Sequence, residues 1–182
     1  MLNLTPLCAD DADALFEVQS DPQTWLHLPV GRHVRRQQSL WLCNRAAESW
    51  QAVGLGPWAV RASATMGGFA TGMFFGSGGV AITTIGVWNL GYRLAPASWG
   101  HGFATQICRA ACDAAKACAP QRAVTARVLS NNPASIAVAV KAGLTLLWEG
   151  ATSAPAAEGV TGQIYSDRAL SGAELDWLIR EV

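Results

Sequence analysis

The stretch of sequence that decides the fold runs from residue 88 to residue 105. It reads Trp88-Asn89-Leu90-Gly91-Tyr92-Arg93-Leu94-Ala95-Pro96-Ala97-Ser98-Trp99-Gly100-His101-Gly102-Phe103-Ala104-Thr105. Its first seven residues are rich in aromatic and branched side chains, which favour a strand, and Pro96 ends the strand because proline has no N–H to donate. Gly100 and Gly102 then let the backbone turn tightly and approach a ligand closely. The stretch therefore predicts a strand, a glycine turn and the start of a helix.

The residues that follow predict one amphipathic helix from Ala104 to Ala119. Polar residues recur there at steps of three and four, namely Gln106, Arg109, Asp113 and Lys116. The opposite stripe is made of small residues that let the helix lie close against a sheet, namely Ala104, Cys108, Ala111, Ala115 and Cys118. Pro120 ends the helix. Since the first N–H groups of a helix lack internal partners and carry partial positive charge, we expect the turn at residues 100–105 to bind an anion such as a phosphate.

Composition sets the class of protein. The 182 residues are expected to form one domain, residues 1–182, that buries roughly 70% of its unfolded surface. Hydrophobic residues make up 51% of the chain and charged residues 14%, which is typical of a well-packed globule. Lys plus Arg and Asp plus Glu both number 13, so no excess positive charge is available for nucleic acid. The N-terminus has neither a basic start nor an apolar core, and no run reaches about 18 apolar residues. We expect a soluble, cytoplasmic protein with neither nucleic acid nor a membrane as its partner, and the sequence leaves open whether it forms a homodimer.

Five cysteines are an odd number without a paired framework, and we expect them to be reduced. They stand at positions 8, 43, 108, 112 and 118. Burial is the expected role of Cys108 and Cys118. The three histidines, His27, His33 and His101, stand at no ligand spacing to these cysteines, so no metal site is predicted.

The remaining pattern predicts further strands, helices and turns. Strands are expected at 2–7, 57–62, 69–75, 80–94, 123–129, 144–148 and 163–166, with a short connection at 64–68 and a glycine turn at 76–79. Helices are expected to begin at Asp10 and to span 34–47, 134–142 and 172–182, while 25–31 is a loop and 151–159 a mobile loop. Asn132 suits a helix cap, Pro133 the first helical position and Gly143 the residue past the end. The strand, helix, strand order across 88–129 implies parallel pairing, whereas the strands before it form an antiparallel meander.

Two blocks resemble one family. Trp99-Gly100-His101-Gly102-Phe103-Ala104 is similar to the pyrophosphate-binding segment of the GNAT N-acetyltransferase superfamily, Arg/Gln-x-x-Gly-x-Gly/Ala, with Trp99 at its first position. Tryptophan at that position resembles the branch of ribosomal-protein N-terminal alanine acetyltransferases, in which Gly-Tyr-x-Leu-x-Pro precedes Trp-Gly-x-Gly-x-Ala. Residues 132–144 resemble that branch's second block, Asn-x-x-Ser-x-x-Val-x-x-Lys-x-Gly-Phe, with leucine in the last place. The resemblance covers most of the chain and is strongest from Trp88 to Leu144.

The resemblance implies an α/β fold with a mixed, mostly antiparallel central sheet flanked by helices on both faces. It implies acetyl-coenzyme A as the co-substrate, with no metal. Its pyrophosphate would meet backbone N–H groups of the glycine turn, namely those of His101, Gly102, Phe103, Ala104 and Thr105. Leu94, Trp99 and Asn132 would complete the cofactor site. The pantetheine arm would lie where the strand ending at Leu94 and the strand ending near Leu129 splay apart, and an amine would attack the thioester directly, without a covalent enzyme intermediate.

The catalytic residues depart from the superfamily pattern. Ala139 stands where many members place a tyrosine that protonates the leaving thiolate, so the tyrosine route is closed and Ser135 becomes the candidate proton donor. Helix capping or core polarity is the alternative role of Ser135. Asn89 stands at an acceptor-site position where relatives often carry a glutamate, and asparagine cannot act as a base. Tyr92 is expected to line the acceptor pocket, and simple packing is its alternative role.

Because Asn89 cannot act as a base, the pKa of the acceptor amine becomes important. An amine must be neutral to attack, and an α-amine of pKa ~8 lies ~2.4 units below a lysine of pKa ~10.4, a difference of roughly 3 kcal/mol. A weak or water-mediated base therefore favours a protein N-terminal α-amine or a small-molecule amine of low pKa over lysine.

Several residues have open roles in this sequence. Trp25, His27 and Trp41 either shape the acceptor mouth or pack in the core. His101 is expected to be a neighbour of the phosphates, and Asp167-Arg168 to form a surface pair or turn.

Two rival functions remain. A non-catalytic acyl-coenzyme A sensor would bind the cofactor without turning over any amine. A dinucleotide-binding domain built on Gly100-x-Gly102 is weaker, because the third glycine is absent and the preceding strands form a meander. A P-loop is excluded because no Gly-Lys-Ser/Thr is present.

Overall fold

In the described part of the chain, seven strands form one mixed, mostly antiparallel sheet, as the resemblance implies. The structure is a computed structural model that describes residues 2–63, 68–153 and 158–182. Its strands are β1 (Leu2–Pro6), β2 (Trp58–Ala62), β3 (Phe74–Ile82), β4 (Trp88–Leu94), β5 (Val124–Leu129), β6 (Thr145–Ala151) and β7 (Thr161–Ser166). They lie in the order β1-β2-β3-β4-β5-β7-β6, and all neighbours are antiparallel except the parallel pair β4 and β5. The predicted parallel pairing across the long helix is therefore confirmed.

Helices cover both faces of the sheet. They are α1 (Ala12–Ser20), α2 (Arg36–Val53), α3 (Phe103–Cys118), α4 (Pro133–Lys141) and α5 (Gly172–Arg180). The start of α4 follows the predicted signals, because the Asn132 side chain accepts a hydrogen bond from the Ser135 N–H at 3.1 Å. None of these helices, within the described residues, is long and apolar enough to cross a bilayer.

The main core lies between the sheet and α3. Alternate residues of β4 and β5, such as Trp88 and Val124, are fully buried against the small-residue stripe of α3. The opposite face carries one cluster under α1 and α2, around Leu15 and Cys43, and another under α5, around Leu178. This alternation places Asn89, Gly91 and Arg93 on the α1, α2 and α5 face, and Tyr92 on the α3 and α4 face.

The five cysteines are free thiols, of which Cys8 and Cys118 are exposed, and the expected burial of Cys118 is therefore wrong. Cys108 lies in the core, whereas Cys118 is exposed. Cys118 lies in the last turn of α3, where its Sγ donates to the Val53 carbonyl at 3.2 Å in an exposed position.

The strand predicted at 69–75 begins only at Phe74, the turn predicted at 76–79 is wrong, and the single strand predicted at 80–94 is interrupted at 83–87. The glycines lie inside β3, and the turn follows at 83–87, where the Gly86 N–H donates to the Thr83 carbonyl at 3.0 Å. Gly76 is required there because its φ is +136° and because a Cβ would lie 2.0 Å from the Arg93 carbonyl oxygen. These glycines therefore allow close approach of β4 rather than a chain reversal.

Other element boundaries also differ from the predicted ones. Helix α2 extends to Val53 and ends at Gly54, whose φ is +70°. The predicted loop at 25–31 contains parts of two short 3-10 helices, Pro22–Trp25 and Pro29–Gly31. Strand β6 runs on to Ala151, and most of the predicted connection at 64–68 and the middle of the predicted loop at 151–159 lie outside the described residues.

We predict that Gly76→Ala lowers the free energy of unfolding by about 2–4 kcal/mol, because the new methyl group would press on the β4 backbone and strain φ. The matched control is Gly172→Ala at the start of α5, where a Cβ meets nothing within 4 Å and the change should stay within about 1 kcal/mol. Urea denaturation measures both. Equal midpoints for Gly76→Ala and wild type would contradict the close approach.

Candidate functional site

The candidate active site is a cleft between β4 and β5. The two strands share only two registered pairs, Trp88 with Val124 and Asn89 with Thr125, and then separate. A cavity of about 990 Å³ fills the gap and continues to both faces of the sheet. On one face of the sheet, the cavity reaches α3 and α4. On the other face, it reaches the 3-10 helix Pro22–Trp25 and the end of α5. The cleft therefore joins two compartments through the sheet.

The first turn of α3 forms one end of this cleft. Gly100 and Gly102 have φ values of +79° and +74°, and a Cβ on either would meet nothing within 4 Å. Glycine is required here by the backbone conformation. The first intrahelical bond runs from the Gln106 N–H to the Gly102 carbonyl at 3.1 Å, which leaves the N–H groups of the first turn directed along the helix axis. This arrangement suits an anion.

The indole of Trp99 fastens the turn to β4. Its Nε1 donates to the Leu94 carbonyl at 2.9 Å, while 47% of the residue stays exposed. Trp99 and Leu94 thus form one wall between the strand end and the glycine turn.

Tyr92 and Ser135 meet on the α3 and α4 side of the cleft. The Tyr92 hydroxyl and the Ser135 Oγ lie 3.3 Å apart. Burial raises the pKa of Tyr92, and the hydrogen bond from Ser135 opposes that rise. Tyr92 is therefore a neutral phenol at neutral pH and can donate a proton. Sequence analysis set aside a tyrosine because position 139 is alanine, and the structure supplies a phenol from β4 instead.

A polar cluster lies on the opposite side of the cleft. The Arg127 guanidinium donates to the Asn89 Oδ1 at 3.4 Å and to the Glu181 carbonyl at 2.6 Å. Its Nη1 lies 3.9 Å from the Glu181 carboxylate. Burial lowers the pKa of Arg127, and Glu181 partly offsets that. The cluster brings the end of α5 beside Asn89.

Aromatic residues close the same side near the α1–α2 connection. The Arg93 guanidinium stacks on the Trp25 ring at 3.4 Å from the ring centre and donates to the Thr24 carbonyl. Burial lowers the pKa of Arg93 to about 10. Trp25 also stacks on His27 and His33, with ring centres 6.2 and 6.4 Å apart. These contacts fix the connection over the cleft.

The structure brings most of the predicted site residues to the cavity. Those that line it are Asn89, Tyr92, Leu94, Trp99, Gly102, Phe103, Ala104, Thr105, Asn132 and Ser135. His101 precedes α3, but its side chain is exposed and its ring stacks on Phe103 at 5.2 Å. Trp25 and His27 line the cavity, whereas Trp41 is 60% exposed and lies in neither the core nor the cleft. Asp167 and Arg168 form the expected pair at 3.0 Å, with the Asp167 side chain buried.

Sequence reasoning missed Arg93, Arg127 and Glu181. The alternation of β5 carried a signal for Arg127, because it places residues 125, 127 and 129 on the face of Asn89. No local pattern pointed to Glu181, which is 54 positions beyond Arg127. Within the described part of the chain, no three His, Cys, Asp or Glu side chains gather in a way that could hold a metal ion.

Comparison with known proteins identifies the class. Residues 1–145 match the family model of the acetyltransferase (GNAT) domain. The chain therefore belongs to the GNAT acetyltransferase family. No curated protein is significantly similar to it in sequence.

Solved structures share the fold at low identity. An acetyltransferase from Agrobacterium tumefaciens is 22% identical, with a TM-score of 0.72 over 92% of this chain and 91% of that chain. RimL, a ribosomal L7/L12 alpha-N-protein acetyltransferase solved in complex with coenzyme A, is 18% identical, with a TM-score of 0.70 over 91% and 92%. The protein yncA from Salmonella typhimurium, solved with acetyl-CoA, is 16% identical, with a TM-score of 0.66 over 94% and 96%. The mixed sheet with helices on both faces is the fold of this family.

We predict a pH-dependent stability from His33. Burial lowers the pKa of His33, and the Arg93 guanidinium lowers it further. The unfolded chain, with a histidine pKa of ~6.5, then binds a proton before the folded chain does, so stability is lost as the pH falls from about 6.5 through the lower folded-state pKa. Urea midpoints between pH 7.5 and pH 5 should fall less in His33→Gln than in the control His101→Gln, which changes an exposed ring. An equal fall in both variants would contradict the assignment.

Proposed function

We propose that this protein is an acetyl-CoA dependent N-acetyltransferase that moves an acetyl group to a primary amine, either a protein N-terminal α-amine or a small-molecule amine. The observation that carries the proposal is the opening of β4 and β5 onto the first turn of α3. Beyond Asn89 and Thr125 the inner strand edges leave their partner strand, and an extended ligand that bears amide groups can pair with such edges.

We assign the cofactor one direction in the cleft, from the glycine turn toward Asn89. Its pyrophosphate is assigned to the N–H groups of residues 101–105, where the helix terminus stabilises negative charge. Its pantetheine arm, which carries two amides, then follows the gap between β4 and β5 toward Asn89. Because the Asn132 Oδ1 already caps α4, Asn132 would contact the arm through its Nδ2. The thioester would lie near Tyr92 and Ser135.

The reaction is a direct transfer. The amine nitrogen attacks the thioester carbon, the C–N bond forms and the C–S bond breaks. The departing thiolate takes a proton from the paired hydroxyls of Ser135 and Tyr92. A phenol of ordinary pKa ~10 is closer to a thiol of pKa ~8.5 than an aliphatic hydroxyl is, so Ser135 relays a proton that Tyr92 supplies.

The acceptor is assigned to the opposite compartment, bounded by Asn89, Arg127 and Trp25. Asn89 offers no base there, so a neutral amine must come from the acceptor's own titration or from a weak base. An α-amine or another amine of low pKa meets this condition more readily than lysine does.

The cofactor site is tested with Gly102→Trp. The indole would occupy the space along the first turn of α3, which is open in the free protein. Isothermal titration should show the Kd for acetyl-CoA rise by at least about 30-fold, or roughly 2 kcal/mol. Gly54→Trp is the matched control, because Gly54 has a φ of +70° and equally open surroundings at the far end of α2. Wild type should bind neither NAD nor ATP comparably, and equal acetyl-CoA binding by both variants would overturn the site.

The proton donor is tested with Tyr92→Phe and Ser135→Ala. Each should lower kcat about 10²-fold and leave the Kd for acetyl-CoA nearly unchanged, and the double variant should cost little more than either alone. Tyr165→Phe is the control, because Tyr165 is buried and donates to the Gln163 Oε1 at 2.8 Å outside the cleft. Additive losses would contradict a shared relay. Tight acetyl-CoA binding by wild type without turnover of any amine would instead favour an acyl-CoA sensor.

A further inference from the structure

Within the described residues, one acidic side chain lines the cleft, and it is that of Glu181. The cationic side chains of the same lining are Arg93, Arg127 and Lys141. A cofactor that bears phosphates accounts for positive charge in the cleft, but an acceptor amine, which is cationic at neutral pH, needs a negative group. Glu181 is the side chain of the cleft that can meet this need.

The structure holds Glu181 in place through its backbone. Arg127 donates to the Glu181 carbonyl at 2.6 Å, and its Nε turns to Asn89. The contact between the Arg127 guanidinium and the Glu181 carboxylate is long, at 3.9 Å, and the Glu181 side chain is 50% exposed. The carboxylate therefore keeps acceptor capacity for a second cation, while Arg127 holds the backbone of Glu181 and also donates to Asn89.

We propose that Glu181 binds the ammonium group of the acceptor and takes its proton before attack. This inference rests on the proposed function and names the group that Asn89 does not supply. Asn89 and Arg127 act as positioning residues, because neither accepts a proton at neutral pH. The same carboxylate would make the acceptor compartment selective for amines over neutral groups of equal shape.

The proton balance is complete with groups already present. The ammonium gives one proton to the Glu181 carboxylate, which passes it to solvent, and the free amine attacks the thioester carbon. The nitrogen loses its second proton to solvent as the amide forms. The Tyr92 and Ser135 pair gives one proton to the thiolate and recovers one proton from water. The second proton lost by the nitrogen makes up for the proton taken from water. The sum is an ammonium and a thioester converted to an amide, a thiol and one proton.

Binding tests the inference without turnover. With the protein saturated in coenzyme A, an Ala-initiated hexapeptide should bind wild type at least about threefold more tightly than its N-acetylated form. Glu181→Gln should abolish this difference while it keeps the backbone contact to Arg127. Asp176→Asn is the matched control, since it removes one negative charge from an exposed position of α5 that does not line the cleft. Equal binding of the two peptides by wild type, or an unchanged difference in Glu181→Gln, would overturn the inference.

Turnover separates this inference from the proposed function. Across a panel of N-terminal peptides and small amines, kcat/KM should fall about 10²-fold in Glu181→Gln near neutral pH and remain unchanged in Asp176→Asn. The loss should shrink as the pH rises and the amine becomes neutral by itself. Wild-type turnover that Glu181→Gln retains in full would overturn the role of Glu181 and leave the acetyltransferase standing. Absence of turnover in wild type would count against the acetyltransferase, while the peptide binding still decides on Glu181.

Discussion

The structure depends on the way β4 and β5 part after two residue pairs. Each strand is fully paired along its outer edge, β4 with β3 over seven positions and β5 with β7 over five. The inner edges meet only at Trp88 with Val124 and at Asn89 with Thr125. A gap inside an otherwise continuous sheet exposes backbone groups that require partners. The proposed site and the proposed direction of the cofactor both follow from this gap.

Contacts on both faces of the sheet hold the elements that border the gap. Gly76 and Gly78 of β3 let the β4 backbone lie close on its outer side. Trp99 ties the glycine turn to the end of β4. On the other face of the sheet, Arg127 donates hydrogen bonds to Asn89 and to the Glu181 carbonyl, which places the end of α5 near Asn89. The cleft therefore has two compartments. We assign the cofactor to the one built from α3 and α4, and the acceptor to the one built from α5 and the α1–α2 connection.

The sequence predicted the elements whose signals are local. Asn132, Pro133 and Gly143 located α4 almost to the residue, and the strand, turn and helix of 88–118 followed from periodicity and glycine placement. The glycines of β3 were misread as a turn, because the close approach of the Arg93 carbonyl is a tertiary contact. The pairing of Tyr92 with Ser135 spans 43 positions, and that of Arg127 with Glu181 spans 54, so no sequence window contains either. Local motifs therefore predict the glycine turn and the start of α4, whereas the fold brings together the two side-chain pairs.

Amide hydrogen exchange with and without coenzyme A tests the central claim most directly. If the cleft holds the cofactor, the N–H groups of residues 101–105 and the inner edges of β4 and β5 should exchange more slowly in the complex, and NAD should have no such effect. Slower exchange confined to other regions, or unchanged exchange in the first turn of α3 at saturating coenzyme A, would contradict the account.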